Sequence, residues 1–162
     1  MSSISIRLEG EMDNLLKRLA AIADIDKAGI MAAMAETLRT STVERFNTQT
    51  SPSGDRWHPS VMADSEGGKT LTKSAVLKNS IHAESDSTGA AVGTNTIYAA
   101  THQLGDERTI RAKESGYLRF KISGRWVSAP SVRVNIPARP FLGISKEDGS
   151  EIKALIDEAF GE

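Results

Sequence analysis

The sequence predicts an α+β fold in which a small antiparallel sheet packs against N-terminal and C-terminal helices, with a long basic β-hairpin and extended loops. Two patterns carry that prediction. Apolar residues recur at helical spacing near both ends of the chain and alternate at strand spacing between them. A third observation bounds it: 162 residues, 39% of them hydrophobic, are enough for one core without covalent staples. Residues 1–162 read as one domain, with a long loop at 47–69 and a basic hairpin insertion at 106–135.

Ile4, Ile6 and Leu8 alternate with Ser5 and Arg7, the pattern of a short strand with one buried face. Leu15, Leu16, Leu19 and Ile22 follow at helical spacing after the acidic Glu11 and Asp13. A longer helix is expected from Asp26 to Phe46, with Met31, Met34, Leu38, Thr42 and Phe46 as its core stripe. From Asn47 to Lys69 periodicity gives way to Ser, Thr, Pro, Gly and Asp, which predicts a loop. Trp57 within it is expected to anchor the loop or to meet a partner, the anchor role being the first reading. Leu71 to Asn79 reads as a short helical piece, and Ile81 onward as a strand. The turn set Asp86-Ser87-Thr88-Gly89 leads to a second strand around Ala91, Val92 and Gly93. Tyr98 to Leu104 is compact and apolar on one side.

Residues 106–133 hold seven cations against Asp106, Glu107 and Glu114, a local charge of +4. Leu118, Phe120 and Ile122 alternate there with Arg119 and Lys121, Ser123-Gly124 turns the chain, and Trp126 and Val127 continue it. This is a hairpin with a basic face. Val132, Val134 and Ile136 alternate as a final strand. Ser145 and Asp148 form a capping box, and Ile152, Leu155, Ile156 and Phe160 give the stripe of a closing helix.

Composition narrows the chemistry. The 20 basic and 21 acidic residues nearly cancel, so no global charge draws the chain to nucleic acid or to an anionic membrane. With no cysteine, disulfides, thiolate metal sites and cysteine nucleophiles are excluded together. Apolar runs fall short of a membrane span and the N-terminus lacks a signal-peptide layout, so a soluble, cytosolic protein is expected. His58, His82 and His102 lie far apart, out of zinc-binding spacing. Gly67-Gly68-Lys69-Thr70 imitates the end of a phosphate-binding loop, but Ala63 stands where the first glycine belongs. No Gly-x-Ser-x-Gly elbow occurs. Neither an enzyme nor a cofactor is expected.

The segment Ile136-Pro137-Ala138-Arg139-Pro140-Phe141-Leu142-Gly143 is the most distinctive. Its prolines enforce extended backbone, making a stiff arm that presents Arg139 beside Phe141 and Leu142. Such an arm either plugs its own core or meets a partner.

Read with Phe46, Pro52 to Pro59, Leu71 to Ile81, Val92 to Asn95 and Tyr98 to Gly105, this arm makes the chain resemble the phage virion morphogenesis family. That family includes tail-completion proteins of contractile-tailed bacteriophages. The resemblance covers roughly Arg45 to the C-terminus. Where the family carries Thr-Gly or Ser-Gly before the Leu-x-x-Ser-Ile segment, this chain has Ser74-Ala75, predicting a helix that runs through the place of a turn. The resemblance implies a structural protein that completes the tail or joins it to the head, as a hexameric ring at the neck. It would be made in the host cytoplasm and carried in the virion neck or tail. The implied partners are further copies of itself, other neck, tail-tube or connector proteins, and non-specific DNA in the lumen, with no membrane. Candidate interface residues are Arg139, Phe141, Leu142, Trp57, Tyr98, His102 and Gln103; Arg119, Lys121 and Arg125 form the candidate charged hairpin. The alternatives are an assembly factor that leaves the finished particle and, more distantly, a hydrolase using His102 with a nearby carboxylate.

Overall fold

The structure is a computed structural model and describes residues 4–7, 26–114, 116–122 and 124–160. The helix expected over Leu15 to Ile22 lies outside the described residues.

Helix α1 spans Lys27–Thr48. It starts where the Asp26 carboxylate accepts the Gly29 N–H at 2.9 Å and ends at Gln49, whose backbone is left-handed. The expected stripe is buried: Met31, Met34, Leu38, Thr42 and Phe46 are each 4% exposed or less. Strand β1 (Ile4–Arg7), β2 (His82–Ser85) and β3 (Ala90–Thr94) form an antiparallel sheet with β3 in the middle. Val92 is the register point, facing Ile6 on one side and Ala83 on the other. α1 lies across β2 and β3 and also packs on the closing helix, so one core forms between the sheet and the two helices. The fold is α+β, as the alternation of patterns predicts.

Three regions depart from expectation. The 47–69 segment is not featureless: α2 (Val61–Glu66) sits within it, capped by the Ser60 hydroxyl on Ala63 N–H at 3.1 Å and closed by left-handed Gly67. Periodicity is blind to this helix because it buries no residue. The helical piece expected over Leu71–Asn79 shrinks to α3 (Val76–Asn79). Leu71 and Ala75 both adopt positive φ, so the turn that Ser74-Ala75 was expected to replace is present after all. Alanine's high helix propensity points the other way, and tertiary context overrides it.

Past α4 (Ala99–Leu104), Gly105 turns the chain with a positive φ of 79° and an extended ψ. A Cβ there would stand 3.0 Å from both Ile136 O and Ala138 N, so the turn requires glycine twice over. The basic segment is a longer ribbon than the single hairpin expected. β4 (Asp106–Arg111) pairs with β7 (Ser131–Ile136), and β5 (Leu118–Ile122) pairs with β6 (Arg125–Ala129). The charge-rich run of β4 conceals it as a strand, because it lacks the apolar alternation that its partner β7 shows. Among the described residues, neither ladder rests extensively on a helix or on the three-stranded sheet. The chain then returns through the proline arm into α5 (Lys146–Phe160), whose capping box forms as expected: Ser145 Oγ accepts Asp148 N–H at 3.1 Å and Asp148 accepts Ser145 N–H at 2.7 Å. No described helix is long and apolar enough to cross a membrane.

Candidate functional site

The sequence segments singled out above meet at the proline arm. Extended backbone at the edge of a core has no ladder to satisfy its polar groups, and burying them unpaired is costly. Side chains supply the missing partners. Gln103, at the end of α4, accepts both the Phe141 and Leu142 N–H groups on its Oε1 at 3.0 Å and donates Nε2 to Leu142 O at 2.8 Å. Trp57 Nε1 donates to Pro140 O at 2.9 Å, so the tryptophan anchors its loop as expected. Arg139 N–H donates to His102 O at 2.7 Å. Its guanidinium reaches the His58 and Pro59 carbonyls, at 2.7 and 3.3 Å.

From below, Arg45 donates to Phe141 O and Gly143 O at 2.9 and 2.8 Å, to Ser41 Oγ at 3.0 Å, and forms a buried ion pair with Asp148. Burial alone would raise the Asp148 carboxyl. The Ser145 N–H, the Ser41 and Ser145 hydroxyls and the Arg45 charge outweigh it and hold that carboxyl below its ordinary range. Burial lowers both arginines from their usual values, with Asp148 opposing the effect at Arg45. Phe141 packs on Phe46, ring centroids 5.4 Å apart, and Phe46 meets Trp57 edge-on at the same distance. Pro52 lies so close to Gly143 that a Cβ there would be 2.8 Å from the proline Cβ.

Of the two readings of the arm, core plug or partner contact with Arg139, Phe141 and Leu142 at or directly behind the surface, these contacts support the plug and put the three residues behind the surface rather than on it. They are 5%, 0% and 3% exposed, and Trp57 is 6% exposed, so all four face inward. The arm is the body's plug because Arg139 finds carbonyls within its own chain. Gln103 and His102 are half-buried behind it. Tyr98 alone of the seven candidates is well exposed, its ring 5.8 Å from that of His102. The Nδ1 atom of His102 is buried with no hydrogen-bond partner. Burial, and then the nearby Arg139 charge, lower its pKa. The charge that bears on His102 is the Arg139 guanidinium. Among the described residues no cluster of His, Asp and Glu could hold a metal ion.

Arg45 and its ion pair are what the sequence reading missed. The signal was present: Leu38, Thr42 and Arg45 continue the helical spacing of the buried stripe, placing a cation where a core residue belongs.

The charged hairpin stands apart from this centre. Arg119 and Lys121 lie over the Trp126 ring, 5.5 and 5.1 Å from its centroid, and Arg125 is exposed beside the turn. Trp126 is 63% exposed and Tyr117 69%. The three named cations therefore share one end of the ribbon, away from the arm's binding partners.

The model of the phage virion morphogenesis family matches residues 9–161. The chain belongs to that family. It is also 29% identical over 160 residues to the Mu-like prophage FluMu G protein 2 of Haemophilus influenzae, an alignment spanning 99% of this chain and 96% of that protein. No solved structure matches it. Within the family match lie both the braced arm and the projecting ribbon, so its role is in phage particle morphogenesis.

Proposed function

We propose that this chain is a structural, non-enzymatic component that completes the phage tail or joins it to the head, acting as a ring at the neck. The observation that carries the reading is the contrast between a tightly braced body and a ribbon that is left uncovered. Two-stranded ribbons are marginally stable in water, and this one holds Tyr117, Ile122 and Trp126 at 55% exposure or more. A joining protein supplies the missing cover from its neighbours. Ring formation asks for two different surfaces on each copy, and Tyr98 with the exposed Ile97 and Leu104 gives a further apolar rim on the body, backed by Gln103 and the arm. In this reading the protein assembles in the host cytoplasm and ends in the virion neck, beside connector or tail-tube proteins.

Light scattering across a wide concentration range, paired with antibody detection in purified particles, tests it. A defined oligomer present in particles is expected. Presence in infected cells but absence from particles would replace it with an assembly factor that departs.

A further inference from the structure

Charge is segregated along this chain. The whole carries −1 and residues 106–133 carry +4, so the remainder stands at −5. Part of that negative charge gathers in a broad open groove between α1 and the start of α5, with Pro140 and Gly143 of the braced arm in its lining. Arg45 and Asp148 in the groove neutralise each other. Glu36 is paired with Arg39, and what remains facing solvent there is Glu44, Glu147 and Glu151 against Lys146, among threonine and serine hydroxyls, with Ile144 42% exposed at the rim.

We propose that the ribbon tip of one copy seats in the α1/α5 groove of the next, with Trp126 against Ile144, Arg119 and Lys121 on the same face toward Glu44, Glu147 and Glu151, and Arg125 at the turn adding its charge from the other face. This rests on the ring reading above and names the subunit contact within it. The tip has the composition of an interface centre, an aromatic flanked by arginine, and its cations meet an excess of carboxylates. Six paired residues in β4 and β7, at about 3.3 Å each, carry the tip roughly 20 Å from its root at Gly105, off its own body. Tip and groove are different surfaces, so each copy offers one and receives the other, and the chain of contacts runs head to tail until it closes. The same charges would draw the tip to DNA, but the matching negative surface is built into this chain.

Charge reversal tests the contact. One protein carries Arg119→Glu, Lys121→Glu and Arg125→Glu; a second carries Glu44→Lys and Glu151→Lys. All five positions are exposed, so circular dichroism should match the parent. Each reversed protein alone sets like charge against like and should need roughly tenfold or more concentration to assemble. Mixed in equal amounts, acidic tips meet basic grooves and basic tips meet acidic grooves, so assembly should return. Because the chain has no cysteine, Ser128→Cys protein mixed with Thr40→Cys protein should give a disulfide-linked pair on mild oxidation, leaving every charge in place. A wild-type oligomer whose mass neither reversal changes overturns the contact and leaves the ring. A wild-type single chain at every concentration, with no disulfide pair, overturns both. Unchanged mass with salt-sensitive duplex DNA retention lost only in the tip variant overturns the contact in favour of DNA.

Discussion

The arm at Pro137–Gly143 and the ribbon at Asp106–Ile136 are neighbours in sequence, and each sets arginine beside an aromatic ring. Their fates are opposite. Arg139 is buried and gives its guanidinium to the carbonyls of His58 and Pro59, whereas Arg119 stays in solvent and rests on Trp126. Residue type does not separate them. What differs is the supply of unpaired backbone: the arm and the loop facing it have carbonyls without ladder partners, while the ribbon's are mostly paired across its strands. Arginine goes where acceptors are unsatisfied, and it stays at the surface where they are not. The comparison teaches that a proline-braced Arg-Pro-Phe-Leu run marks a backbone needing side-chain partners before it marks a surface.

The comparison breaks most sharply at Arg45. Arg45→Met strips two carbonyls of the arm and leaves Asp148 buried without its cation, so unfolding in urea should show a loss of about 3–5 kcal/mol. Gln103→Leu removes all three hydrogen bonds that the glutamine makes to the arm, two of them from backbone N–H groups, and about 3 kcal/mol should go. If that variant is as stable as the parent, the bracing account of the arm is wrong.

A smaller, pH-dependent effect belongs to His102. Its folded pKa lies below the ordinary value near 6.5, so protons bind the unfolded chain more readily. Its contribution is therefore complete above that value and shrinks as pH falls through it toward the folded pKa. His102→Gln should flatten this part of the stability profile, measured by thermal melts between neutral and mildly acidic pH. At the other end, Trp126→Ala should move stability by only about 0.5 kcal/mol, because that ring is 63% exposed and, among the described residues, its ladder makes no extensive contact with the body. The same substitution should weaken assembly. A stability loss matching that of Gln103→Leu would mean the ribbon is part of the core.

Local pattern carries furthest where periodicity and capping agree. The α1 stripe, the Ser145–Asp148 capping box and the β3 and β7 strands were all legible, since each depends on neighbours a few residues away. α2 was not, having no buried face, and β4 was not, being charged and without apolar alternation. At the site, Trp57 as loop anchor could be read because a tryptophan in a polar segment needs cover. The inward turn of Arg139 could not, because it depends on carbonyls about eighty positions upstream.

By itself, then, the sequence determined the α+β class, the two long helices within the described residues, the absence of cysteine chemistry, and the concentration of positive charge in 106–133. These follow from short-range spacing and from composition. Tertiary structure alone decided that Pro52, Trp57, Gln103 and Arg45 converge on one strip of extended backbone, and that the basic ribbon is left outside it. Hydrogen bonds across such separations form once the core has brought the strip into place, and no window along the chain contains both partners.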